Sequence, residues 1–129
     1  MVPEDCLFTK EHEWVYREGD VAVIGISEYA STELGDIVYI ELPEAGAAVQ
    51  QMDPIGTIEA VKTVAELFSP VSGEVIEINQ AIVDHPEIVN RDPHDEGWFI
   101  KVRMSDSSEL DVLFSHDEYQ EYLGEQEDD

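Results

Sequence analysis

The sequence predicts a single, mainly β (α+β) domain with short helices, two of them at the C-terminus. Three observations carry this. Most of the chain consists of short runs rich in Val, Ile, Tyr and Trp, punctuated by Gly, Pro and Asp. The string "GDIVYIEL" from Gly35 returns as "GEVIEINQ" from Gly73, and "DPIGTI" from Asp53 pairs loosely with "DPHDEGWFIKV" from Asp92. Two similar units of this kind suggest matching halves. The last thirty residues then switch to helix-capping patterns. At 129 residues the chain fits one compact domain with a real core.

Taken in order, "EWVY" and "VAVIGI" joined by "REGD" predict a first hairpin. In "SEYASTELG", Ser27 can cap a helix start, and Gly35 sits where a helix end favours positive φ, so one or two helical turns are expected. "DIVYIEL" is the next strand. Toward the end, "SDSSELDVLF" places Glu109 three residues after Asp106, a capping-box pattern. "SHDEYQEYLG" repeats it with Ser115 and Glu118, and Tyr119, Tyr122 and Leu123 form an apolar stripe.

The segment "TIEAVKTVAELFSP", residues 57 to 70, obeys a different period. Apolar residues at 58, 61, 65 and 68 lie on one helical stripe, widened by Val64, and Glu, Ala, Lys and Leu are good helix formers. A hairpin here lacks the usual Asn-Gly or Asp-Gly turn. Local rules alone therefore favour an amphipathic helix over 57–68.

Composition narrows the function. A net charge of −25 argues against nucleic acid and anionic membranes, because phosphate binding needs Lys and Arg. It favours protein partners with basic docking surfaces. The lone Cys6 cannot form an internal disulfide, and "MVPEDC" is neither a secretory signal nor an Arg-rich transit peptide, so a cytoplasmic protein is expected. His12, His85, His94 and His116 are scattered without zinc-ligand spacing, and no nucleophile elbow, P-loop or dinucleotide fingerprint is present. Lys62 remains. It is the only Lys or Arg between Arg17 and Arg91, an interval that holds fourteen carboxylates. Such an amine is an acylation target, and amidation would turn a hydrated charge into a neutral tether. An ordinary exposed lysine is the alternative.

"FTKEHEWV", "VAVIGISEYASTELGDIVYIELPEAG", "IEAVKTVAELFSPVSGEVIEIN", "PEIVNRDP" and "EGWFIKV" resemble, in order, the glycine cleavage system H proteins. The likeness runs from about residue 7 to residue 123, leaving 124–129 as an acidic tail of one lipoyl-carrier domain, 1–129. It implies a barrel-sandwich hybrid of two quasi-symmetric halves, in which the lysine block is a tight β-hairpin rather than a helix. It also implies lipoate amide-linked to Lys62, on a non-catalytic carrier. The arm would take an aminomethyl group from glycine decarboxylase (the P protein) and pass it to aminomethyltransferase (the T protein). Dihydrolipoyl dehydrogenase (the L protein) would reoxidise it, and a lipoate–protein ligase or an octanoyl or lipoyl transferase would install it.

The same resemblance places Glu59 and Glu66 in recognition by the lipoylating enzyme, and Glu13, Glu66 and His12 beside the loaded arm. Family behaviour implies a monomer. The block here reads "EAVKTVAE", with Ala60 and Thr63 at positions where the family usually has Ser and Ala, and with an added Val64. An H-like lipoyl carrier of another pathway is the nearest alternative. A biotin carrier fits less well, because its lysine is typically flanked by Met, and Val61 and Thr63 stand here.

Overall fold

The computed structural model describes residues 3–127. Among the described residues nine strands form two sheets: a six-stranded sheet in the order β1-β2-β3-β9-β8-β5 and a three-stranded sheet in the order β4-β6-β7. Every pairing between strands is antiparallel. The strands are β1 (Leu7–Phe8), β2 (Glu13–Glu18), β3 (Val21–Ile26), β4 (Ile37–Glu41) and β5 (Ala48–Val49). They continue with β6 (Pro54–Ala60), β7 (Val64–Phe68), β8 (Gly73–Ile78) and β9 (Ile100–Met104). One apolar cluster joins both sheets. Ile24, Ile100 and Val102 come from the larger sheet, and Ile40, Ile58 and Leu67 from the smaller. No helix among the described residues is long and apolar enough to cross a membrane.

The expected first hairpin is β2–β3, closed at Glu18↔Val21 by Gly19 and Asp20, with Gly19 at φ 65°. "VAVIGI" is apolar without alternation because both of its faces are covered. Ala22, Ile24 and Ile26 enter the main core, while Val23 joins Cys6, Phe8, Trp14, Tyr119 and Leu123 in a second cluster. Gly25 lies directly opposite Trp14, and a Cβ there would stand 2.6 Å from the indole. The missing side chain is what lets Trp14 pack flat on the sheet.

The internal repeat is visible in the ladders. Strand β4 pairs with β6, and β8 pairs with β9. Each pair carries a register shift, between Ile37 and Tyr39 in one and between Val75 and Glu77 in the other. These positions are 38 residues apart, as are Gly35 and Gly73. Two units that keep a bulge at the same place are the quasi-symmetric halves expected of a barrel-sandwich hybrid.

Helix α1 (Glu28–Leu34) starts at Ser27, whose side chain accepts from the Ala30 N–H, and ends at Gly35 with φ 77°. Two helices were not foreseen: α2 (Gln80–Asp84), capped by the Asn79 side chain, and α3 (Glu87–Arg91), which follows Pro86. At the C-terminus, Ser115 and Glu118 form the reciprocal capping box that opens α4 (His116–Glu127). The Asp106 pattern is only half realised. Asp106 caps a 3-10 helix, Ser107–Val112, but the Glu109 carboxylate accepts from the N–H and hydroxyl of Ser72 instead of reaching back. Helix α4 runs on through Glu127, into the segment expected as a tail; Asp128 and Asp129 lie outside the described residues.

The helix that local propensity favours over 57–68 does not form. Strands β6 and β7 pair from Glu59↔Val64 back to Pro54↔Phe68. The would-be stripe is incoherent, since Ile58 is buried while Val61 is 70% exposed. What is buried instead is the alternate set Ile58, Ala60 and Leu67, facing the main core. Pairing with β4 on the other side of β6 overrides the local preference.

Candidate functional site

Lys62 sits at the tip of the β6–β7 hairpin, exposed, in the two-residue turn Val61-Lys62. Neither residue has a positive φ; among the described non-glycine residues only His12 and Met52 do. This turn therefore needs no Asn-Gly. The Ala60 N–H donates to the Thr63 carbonyl at 2.8 Å, and the Val61 N–H donates to the Asp36 carbonyl at 3.0 Å. The second bond leaves the hairpin altogether, so the turn is shaped by the segment that follows α1 as well as by its own sequence.

That segment is held by Asn90 of α3, which sequence reasoning did not single out. Its Nδ2 donates to the Gly35 carbonyl at 2.7 Å, and its Oδ1 accepts from the Ile37 N–H at 2.9 Å. The lysine side chain lies over this same place, because a Cβ on Gly35 would stand 3.2 Å from Lys62 Cε. Gly35 thus serves two ends, a positive φ at the helix terminus and room for the lysine. Asn90 lay within a block that resembles the family, yet only the fold shows what it grips. Asn90→Ala should lower stability by about 1–2 kcal/mol, through two lost bonds to partly buried backbone groups. Urea unfolding of the unmodified protein checks this.

Helix α1 leads from the lysine to a cleft of about 380 Å³. Ile26, Ala30, Leu34, Ile58, Ala65 and Phe68 give it apolar walls; Glu11, His12, Glu13, Glu33 and Glu66 supply its polar groups, with Tyr29 beside them. Three of the residues expected beside the arm, His12, Glu13 and Glu66, are therefore brought together. Glu59 is not among the lining; it is exposed on the outer row of the small sheet, opposite Val64.

The three differ in setting. Glu66 is exposed on β7. Glu13 is 1% exposed, and its carboxylate accepts from the Thr9 hydroxyl at 2.5 Å and from the Phe68 N–H at 3.3 Å. It thus braces β7, an edge strand of the small sheet. Burial pushes its carboxyl up to about 7, against the smaller opposing pull of the Thr9 and Phe68 bonds. His12 sits at φ 73°, held in the left-handed region within a turn that Thr9 organises. Its Nδ1 lies 2.8 Å from the Tyr119 hydroxyl, which lies 2.8 Å from Ser27 Oγ, the cap of α1. Burial pushes His12 below its ordinary value, so the ring is neutral at pH 7, and the same cause pushes the Tyr119 phenol up to about 12. One chain of hydroxyls thereby ties the cleft wall to both α1 and α4.

The other histidines stand elsewhere. His94 stacks on Trp14, and its Nδ1 is buried without a hydrogen-bond partner. His85 lies 3.6 Å from Glu87 at the surface. Among the described residues no group of three or more His, Cys, Asp or Glu is placed to hold a metal ion.

A two-sheet barrel-sandwich with an exposed lysine at a hairpin tip, next to a part-apolar cleft, defines a carrier domain of the lipoyl type. Comparison with known proteins narrows the class. The family model for the glycine cleavage H-protein matches residues 6–126. The glycine cleavage system H protein of Staphylococcus carnosus is 52% identical over 124 residues, covering 96% of this chain and 98% of its own. That of Staphylococcus haemolyticus is 51% identical with the same coverage. The crystal structure of a glycine cleavage system H protein from Mycobacterium marinum superposes with a TM-score of 0.88 at 34% identity, covering 95% of this chain and 99% of that one. The chain belongs to the glycine cleavage H-protein family, the lipoyl carrier component of the glycine cleavage system.

Proposed function

We propose that Lys62 is the lipoyl attachment site, and that the chain carries an aminomethyl group without catalysing any step itself. The observation that carries this is the lysine's placement: exposed at a hairpin tip, laid over Gly35, at the end of the helix that lines the cleft. Attachment joins the neutral Nζ to the carbonyl carbon of an activated lipoyl group. The C–N bond forms, the bond to the leaving group breaks with its electron pair, and Nζ gives up a proton. Bound lipoate would supply a disulfide that takes up the aminomethyl group at glycine decarboxylase, yields it to aminomethyltransferase and is reoxidised by dihydrolipoyl dehydrogenase.

The chain's own residues do the rest. Ile26, Leu34, Ile58 and Phe68 offer the hydrocarbon arm a surface away from water. Glu66 and the other acids around the cleft favour a cationic amine there over an anion. The hairpin, with Glu59 and Glu66 beside the lysine, is what the lipoylating enzyme reads. Tethering then raises the effective concentration of the carried group at each partner. The protein acts in the cytoplasm as a monomer.

Intact mass of protein purified from its native host, with peptide mapping of residues 57–70, tests the attachment. A lipoyl increment on Lys62 is expected, and a bare lysine in all of the native material would refute it. A biotinyl increment would move the chain to the other carrier class.

A further inference from the structure

Exposed apolar residues are not spread evenly over this acidic surface. Among the described residues, the large hydrophobic side chains that stand exposed are Val38, Tyr39, Met52, Val61, Val64 and Val112. Four of these six gather at one end of the small sheet, around Lys62. The ladders explain how. Tyr39 lies opposite Glu59, and Glu59 opposite Val64, so the three form one row across the outer face. The bulge between Ile37 and Tyr39 leaves Val38 exposed as well as Tyr39. Val61 is the turn residue that precedes the lysine. The next row is Glu41, Thr57 and Glu66. An apolar patch crossed and bordered by carboxylates is thus built around the only Lys or Arg between Arg17 and Arg91. Exposed apolar side chains gathered in one region with a polar border mark an interaction site.

We propose that Val38, Tyr39, Val61 and Val64 form the surface on which the enzyme that acylates Lys62 docks, and that this enzyme meets it with an apolar face bordered by Lys and Arg. The inference rests on the reading that Lys62 is acylated. Reach selects the occupant. Acyl transfer makes a bond at Nζ itself, and the exposed lysine side chain passes close to Gly35, beside the turn. The acylating enzyme must therefore come within one lysine side chain of the turn, and it cannot do so without covering Val61 and its neighbours. Enzymes that work at the far end of an installed arm can stand off by the arm's length. Charge selects the partner's rim. Glu41, Glu59 and Glu66 lie in these rows, and the chain carries a net −25, so a basic border gains attraction and steering.

The test uses the unmodified full chain with lipoate–protein ligase, lipoate and MgATP, initial rates being read by intact mass over a range of carrier concentration. For Tyr39→Ser/Val64→Ser, KM for the carrier should rise about tenfold or more with kcat within about twofold. Val112→Ser, at an exposed apolar position outside the patch, should match wild type. KM for wild type should also rise with added salt. Val38→Ser/Val61→Ser gives an independent pair should the first unfold, a point checked by its thermal midpoint. Wild-type kcat/KM in a folded double variant overturns the proposal. So does sedimentation showing that wild type self-associates and the double variant does not, since the patch would then belong to a second copy. If wild-type Lys62 gains no lipoyl mass at all, it is the attachment reading that fails.

Discussion

Lys62→Arg should reduce glycine cleavage in a reconstituted system to background while leaving the fold intact. The substitution keeps the positive charge and most of the aliphatic stem, so the contact over Gly35 is retained. Lys62 is exposed, and its turn is held by backbone bonds from Ala60 and Val61, neither of which uses the lysine side chain. Unfolding free energy should therefore stay within about 0.5 kcal/mol of wild type. What disappears is the nucleophile, because a guanidinium stays protonated and cannot be acylated under these conditions. The loss should be complete and not graded. A tether supplies the carried group to each partner at roughly millimolar effective concentration, which micromolar free lipoate cannot match. Glycine-dependent carbon dioxide release and intact mass of the variant give the readout. Substantial activity in Lys62→Arg would show that the arm hangs elsewhere or that none is needed.

How much of this was legible in the residues differs element by element. The β2–β3 hairpin, α1 with its Ser27 and Gly35 ends, and the Ser115–Glu118 box were readable because each depends on bonds made within a few residues. The lysine hairpin was not readable from local rules. Its turn is fixed by Asp36, and its strands by β4, contacts that no window over 57–70 contains. The resemblance to a family supplied what periodicity could not. Glu109 shows the converse case: a correct capping pattern lost its acid to Ser72, thirty-seven residues away, where two donors outcompete one local N–H. Helices α2 and α3 were missed because each has five residues, too short for a periodic stripe, although Asn79 and Pro86 mark their starts. At the site, Lys62 was legible as an isolated cation, and Glu13 and His12 only as members of a familiar block. The burial of Glu13 was not, since it depends on Thr9 and β7 closing over it.

That burial predicts an unusual dependence of stability on pH. The native carboxyl of Glu13 titrates near 7, against an ordinary value of 4.5. In the unfolded chain the proton leaves near 4.5; in the native protein it stays until about 7. Between these values the native state binds more protons than the unfolded state, so raising pH favours unfolding. The contribution of Glu13 is therefore fully present below pH 4.5 and lost as pH rises through 7. A difference of this size is worth on the order of 3 kcal/mol at about 1.4 kcal/mol per pH unit.

Glu13→Gln isolates the effect from the many exposed acids. The amide oxygen can accept from the Phe68 N–H, but the amide nitrogen cannot accept the Thr9 proton, and the Thr9 oxygen already accepts from the Glu11 and Glu13 N–H groups, so one bond is lost at every pH. Glutamine carries no charge at any pH and feels no desolvation of an anion. The lost bond offsets Glu13→Gln by a constant of about 1 kcal/mol, and from pH 5 to pH 8 the difference between the two proteins should move by roughly 2–3 kcal/mol in favour of Glu13→Gln. Urea unfolding of both unmodified proteins at pH 5, 6, 7 and 8 decides it. Parallel curves would mean that Glu13 ionises at an ordinary value, with enough water or movement at its carboxylate to relieve the burial. A difference that moves in favour of Glu13→Gln with rising pH would establish a carboxylate held at a cost in the wall of the arm cleft. The native fold would then be retaining, at the price of stability, an acid whose charge a cation in that cleft would complete.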